Sequence, residues 1–111
     1  APKAKMIVFT GDVENIVEAI KDRAKKYEME GKKVGIMATE ETKDKYSQGS
    51  VISVGSRKMK GTIARNLFNT LRKFDEIGVD IILSEGVEMG QIGTAIMNRL
   101  KKASGGNIIK V

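Results

Sequence analysis

Five short runs of mostly aliphatic residues constrain this chain more than any other feature: Met6–Thr10, Val34–Ala38, Val51–Val54, Asp80–Ser84 and Asn107–Val111. Each is nearly continuous in apolar character rather than alternating, the pattern of strands covered on both faces by other layers. Helical patterns separate them. Val13, Ile16, Val17, Ile20, Ala24 and Tyr27 recur at the 3.6-residue period, with Asp12 placed to cap the helix and Gly31 to stop it. Thr39 is placed to cap a short polar helix with Glu40 and Glu41 in its first turn, where the dipole favours acids. A third helix begins between Lys58 and Thr62 and runs to Ile77 with a stripe of Ile63, Leu67, Leu71 and Phe74, ending at Gly78. A fourth follows a glycine-rich loop and ends at Gly105-Gly106.

Strand and helix alternating in this way predict one doubly wound, three-layer α/β/α Rossmann-like domain over residues 6–111, with a five-stranded, mainly parallel sheet. The expected strand order is 3-2-1-4-5. Ligands of such folds bind at the carboxyl ends of the strands beside the topological switch point, here expected between the first and fourth strands. That geometry brings Gly11 and Asp12 next to Ser84, Glu85 and Gly86 as candidate ligand-contacting residues.

The composition narrows the chemistry. The chain has no cysteine and no histidine, so it has no thiol nucleophile, disulfide or zinc ribbon, and lacks the commonest general base and metal ligand. Catalysis would have to use carboxylates, lysines, hydroxyls or backbone dipoles. No apolar run is long enough to span a bilayer, and the basic start at Lys3 and Lys5 does not lead into a signal-peptide core. The formal charge of +6 permits an acidic partner. The lysines are scattered and paired with acids at helical spacing, and no aromatic platform lies between them, so a solvated surface is the expected reading over a nucleic-acid face.

Phosphate-binding motifs are absent: the first loop has Gly11 alone, and no G-x-x-x-x-G-K-[ST] occurs. The segment Ser84–Gly93 has three glycines and opens onto a helix N-terminus, which attracts anions, but Glu85 and Glu88 would repel a phosphate. Gly93 is therefore a candidate contact, with a flexible connection as the bland alternative. Arg99 falls within the apolar stripe Ile92, Ala95, Ile96, Leu100 and Ala103. A buried charge needs a partner, so Arg99 is expected to pair with Asp75 or Glu85, or else to face a ligand or another domain together with Asn98. Arg65 and Arg72 fall on an outer face.

One family resemblance is carried by specific residues. The positions Ala64-Arg-Asn-Leu-Phe68, Leu71-Arg72, Phe74-Asp-Glu76, Gly78-Val-Asp80, Glu85-Gly86, Gly90, Gly93, Ala95-Ile96, Asn98-Arg-Leu100 and Lys102-Ala103 resemble the C-terminal domain of two-domain threonylcarbamoyl-AMP synthases. Gly31-Lys-Lys-Val-Gly-Ile and Val54-Gly-Ser-Arg57 are similar to it too. Ala1-Pro2 looks like the close of that family's interdomain linker, which would make residues 1–5 its end. The family makes threonylcarbamoyl-AMP from L-threonine, bicarbonate and ATP for tRNA modification.

The resemblance implies a cytoplasmic, monomeric parent, an ATP- and magnesium-dependent nucleotidyltransferase whose catalytic residues lie in an N-terminal domain absent here. It implies an accessory or regulatory role for this segment, with that catalytic domain as its partner. No catalytic residue, metal or cofactor is expected in this segment, and direct tRNA binding is not expected. Two readings stand against it: a stand-alone small-ligand or nucleotide module using the Gly11/Glu85 cleft, and a basic RNA-binding domain.

Overall fold

The computed structural model describes residues 2–87 and 90–111. Strands β1 (Lys5–Thr10), β2 (Val34–Ala38), β3 (Ser50–Ser53), β4 (Ile81–Glu85) and β5 (Ile108–Lys110) form one sheet, all neighbours parallel. Helices α1 (Val13–Met29), α2 (Lys60–Ile77) and α3 (Gly90–Ala103) cover it. The sheet order is β3-β2-β4-β1-β5. The three-layer class is as expected, and the order corrects the expected 3-2-1-4-5. β4 inserts between β2 and β1, Ile81 lying opposite both Lys5 and Val34. The physical reason is burial: every residue of β4 is buried, so this strand takes the centre, while β3 and β5, with no fully buried residue, take the edges.

Alternation within the strands feeds two cores. Ile7 and Phe9 of β1 join Val34, Ile36, Ile81 and Leu83 against Ile16, Val17, Ile20 and Ala24 of α1. Met6 and Val8 point the other way and join Met37 and Ile82 against Ile63, Leu67 and Phe74 of α2 and Ile96 and Leu100 of α3. α1 therefore forms one outer layer, and α2 with α3 the other. Gly35 makes the second core possible, because a Cβ there would lie 2.6 Å from the Phe74 ring.

Helix ends follow the glycine signals. At α1 the N–H groups of Gly31 and Lys32 donate to the carbonyls of Glu28 and Tyr27, with Gly31 at φ +81°, and Gly78 ends α2 at φ +82°. Asp12 precedes α1 in extended conformation without a side-chain cap. The expected polar helix after Thr39 is reduced to a single 3₁₀ turn, Lys43–Lys45. Its would-be cap is spent elsewhere.

Candidate functional site

The polar centre of the molecule lies at the carboxyl ends of β2, β3 and β4. Glu85, the last residue of β4, is 4% exposed. One carboxylate oxygen accepts from the Thr39 hydroxyl at 3.1 Å and from Arg57 Nη2 at 2.9 Å. The other accepts from the Thr42 hydroxyl and the Tyr46 phenol, each at 2.5 Å. A carboxylate offers about four lone-pair sites, and all are taken. Thr39 follows β2 directly, Thr42 and Tyr46 flank the 3₁₀ turn, and Arg57 comes from the turn after β3. The cluster thus binds the whole β2–β3 crossover to the central strand.

The crossover is held from outside as well. Glu41 accepts from the Ser56 hydroxyl and from the Arg57 backbone N–H at 2.9 Å, and these contacts hold its carboxyl below the usual range. Glu40 is also held down, first by a hydrogen bond from Ser53 and then by Lys43, which it raises in turn. Burial, then the adjacent Glu85 charge, pushes the Tyr46 phenol well above its ordinary value near 10. Tyr46 is therefore a fixed donor and not a base. One buried donor is unspent among the described residues, Arg57 Nε.

The other strand-end candidates are committed to packing. Ser84 is buried, its hydroxyl donating to the Glu85 carbonyl at 3.0 Å. Gly86 donates its N–H to the Phe9 carbonyl at 2.8 Å, and a Cβ there would meet that oxygen at 2.9 Å. Gly11, at φ +126°, lies under the chain terminus, with the Val111 oxygen 2.4 Å from where a Cβ would be. Asp12 is exposed beside it. The first and fourth strands do bring these residues together, but β5 and Val111 close over the β1 end. Among the described residues, no group of three or more acids could hold a metal ion. No helix among them is long and apolar enough to cross a membrane.

The matching family model is that of the threonylcarbamoyl-AMP synthase C-terminal domain, over residues 1–105. Curated threonylcarbamoyl-AMP synthases of Pyrococcus abyssi and Bacillus subtilis are 44% and 40% identical to the chain, over 100% and 99% of its length. The chain belongs to this family. It spans 31% of each of those relatives. The crystal structure of the Pyrococcus abyssi Sua5 protein complexed with L-threonine superposes with a TM-score of 0.90 at 44% identity, covering all of this chain and 31% of that one. A Pyrococcus horikoshii C-terminal Sua5 domain, crystallised as that domain alone, matches over 100% of both chains at 38% identity with a TM-score of 0.81.

For this synthase C-terminal domain, the ion pair expected at Arg99 needs correction. Glu85 pairs with Arg57, and Asp75 accepts the backbone N–H of Lys3 at 3.0 Å. Arg99 is exposed, with no ion pair to either acid among the described residues. The buried face of α3 runs through Gly93, Ile96 and Leu100, so the apolar stripe is rotated away from Ile92 and Arg99, which flank it. Gly93 is buried in the helix, and Asn98 is exposed. The expectation at Glu88 lies outside the described residues. Thr42, Tyr46 and Arg57 were not singled out as site residues by sequence reasoning. They come from three points on a crossover, and no local motif joins them to Glu85.

Proposed function

We propose that this domain is the accessory C-terminal part of a threonylcarbamoyl-AMP synthase, with the chemistry carried by the polypeptide that precedes it in the relatives. The observation that supports this most is the closed state of Glu85. Among the described residues the most buried acid spends all its acceptor sites on side chains of the domain, so Glu85 is free neither as a general base nor as a ligand contact. The loop after β1 does not fit ATP: it has one glycine, covered by Val111, and offers no cradle of N–H groups for phosphates. ATP with magnesium, L-threonine and bicarbonate would be held by the preceding domain. The linker to it would end at residues 1–4, since Lys5 already pairs with Ile81 in the sheet.

The test is formation of threonylcarbamoyl-AMP from ATP, L-threonine and bicarbonate. The purified 111-residue chain is expected to give none, and the full-length polypeptide from its own gene is expected to be active. Turnover by the isolated chain, or inactivity of the full-length protein, overturns the reading.

A further inference from the structure

The charge of this molecule is concentrated on one layer. α1 balances Lys21, Arg23, Lys25 and Lys26 against Glu14, Glu18, Asp22 and Glu28. α2 and α3 set Lys60, Arg65, Arg72, Lys73, Arg99, Lys101 and Lys102 against Asp75 and Glu76. Lys101 and Lys102 lie in the last turn of α3, where they complement the helix dipole. Arg72 and Arg99 stand further up their helices, beyond that effect. Between the two helices runs an open groove of about 500 Å³ lined by Phe68, Leu71, Arg72, Asp75, Arg99 and Pro2, among others. Phe68 is 59% exposed at its wall. A single exposed aromatic is ordinary. Here it coincides with the cations and with the entry of the chain: Pro2 forms part of the groove, and Asp75 clasps the next residue through the Lys3 N–H.

In the relatives this segment is about the C-terminal third. We propose that the α2–α3 groove is a docking seat for an acidic face of the preceding domain, held in cis with Phe68 as the apolar anchor and Arg72, Arg99 and Lys102 as the cationic rim. This rests on the accessory-domain reading. The tether makes a weak seat sufficient. An effective concentration of about 1 mM against a Kd of about 100 μM leaves the face free roughly a tenth of the time. A second copy of the chain fits less well, since an isologous contact would set this cationic rim against itself. RNA also fits less well, because Phe74 of α2 is buried in the core and Phe68 is left as the one exposed aromatic of α2 and α3, which makes no stacking platform.

The absence of native cysteine in this segment makes the test direct. Ala103→Cys, in the groove but outside its anchor and rim, and, as a control on the opposite layer, Met29→Cys are introduced separately into the 111-residue chain and into the full-length protein. Maleimide labelling of each site is followed by peptide mass spectrometry. The Pyrococcus horikoshii relative, crystallised as this domain alone, supports use of the isolated chain. Labelling at position 103 is expected to slow by roughly tenfold on going from isolated chain to full-length protein, with position 29 unchanged. Phe68→Ala, or Arg99→Glu with Lys102→Glu, is expected to restore fast labelling at position 103. Equal rates at position 103 in both proteins, or protection at position 29 instead, overturn the proposal. So does protection that appears in the isolated chain with rising concentration, which assigns the groove to a second copy, or only on adding tRNA, which assigns it to RNA. A full-length protein that makes threonylcarbamoyl-AMP yet labels freely at position 103 refutes the docking seat alone. One that makes none refutes the accessory reading itself.

Discussion

The two ends of the sheet hold their charged groups in opposite ways. At the carboxyl end Glu85 is sealed among Thr39, Thr42, Tyr46 and Arg57, every acceptor site spent. At the other end Arg72 and Arg99 stand in solvent over an open groove. A buried polar network is costly unless complete, and once complete it fixes the geometry of the elements that supply it. An exposed cation costs little and holds nothing in place, so it remains available to a partner. The fold's customary ligand end is thus the structural end in this domain, and the free surface lies elsewhere.

The comparison is sharpened first by the largest expected effect. Glu85→Ala leaves four donors without their acceptor, including a largely buried guanidinium, and is expected to cost about 3–5 kcal/mol in urea unfolding of the isolated domain. A loss below about 1 kcal/mol would mean the cluster is as loose as the groove. Gly11→Ala should follow, at about 1–3 kcal/mol, because its φ of +126° and the overlying Val111 leave no room for a methyl group. A neutral melt would restore Gly11 as an open ligand contact.

Tyr46→Phe removes one donor to a carboxylate and should cost about 1–2 kcal/mol near neutral pH. Its pH dependence has a definite sign. The folded phenol titrates above its unfolded value near 10, so its contribution is fully present below pH 10. As pH rises further the unfolded chain releases the proton first, and stability falls. Tyr46→Phe should flatten that alkaline limb. An unchanged limb in the variant would show that the Tyr46 phenol is not buried beside Glu85. The smallest effect belongs to the groove: Arg99→Ala should leave the isolated domain within about 0.5 kcal/mol of the parent. A loss of several kcal/mol would mean that Arg99 has a buried partner after all.

The layers were legible because burial writes itself into local sequence. Val34–Ala38 matches its expected strand, and the strands around Phe9, Ile52, Leu83 and Ile109 shift by one residue at one or both ends. Glycine signals placed the ends of α1 and α2, since Gly31 and Gly78 adopt the positive φ that glycine tolerates best. The strand order was not legible, as the apolar character of β4 suits the centre of the sheet on either side of β1. Glu85 was visible as a candidate, but its partners were not. Thr39 reads locally as a helix cap, and only the folded crossover turns it towards a carboxylate forty-six residues away. Arg99 misled because a helical stripe read from sequence has no fixed width. Its flank is buried only where another element covers it.

The claim that Glu85 is locked and not waiting for a ligand is tested most directly by a double-mutant cycle in urea with Glu85→Ala and Arg57→Met. If the pair is the structural tie described, each single change is costly and the double variant loses less than the sum, with a coupling of about 2 kcal/mol. Single losses that add to within about 0.5 kcal/mol would show that Glu85 and Arg57 act independently, and would contradict the account.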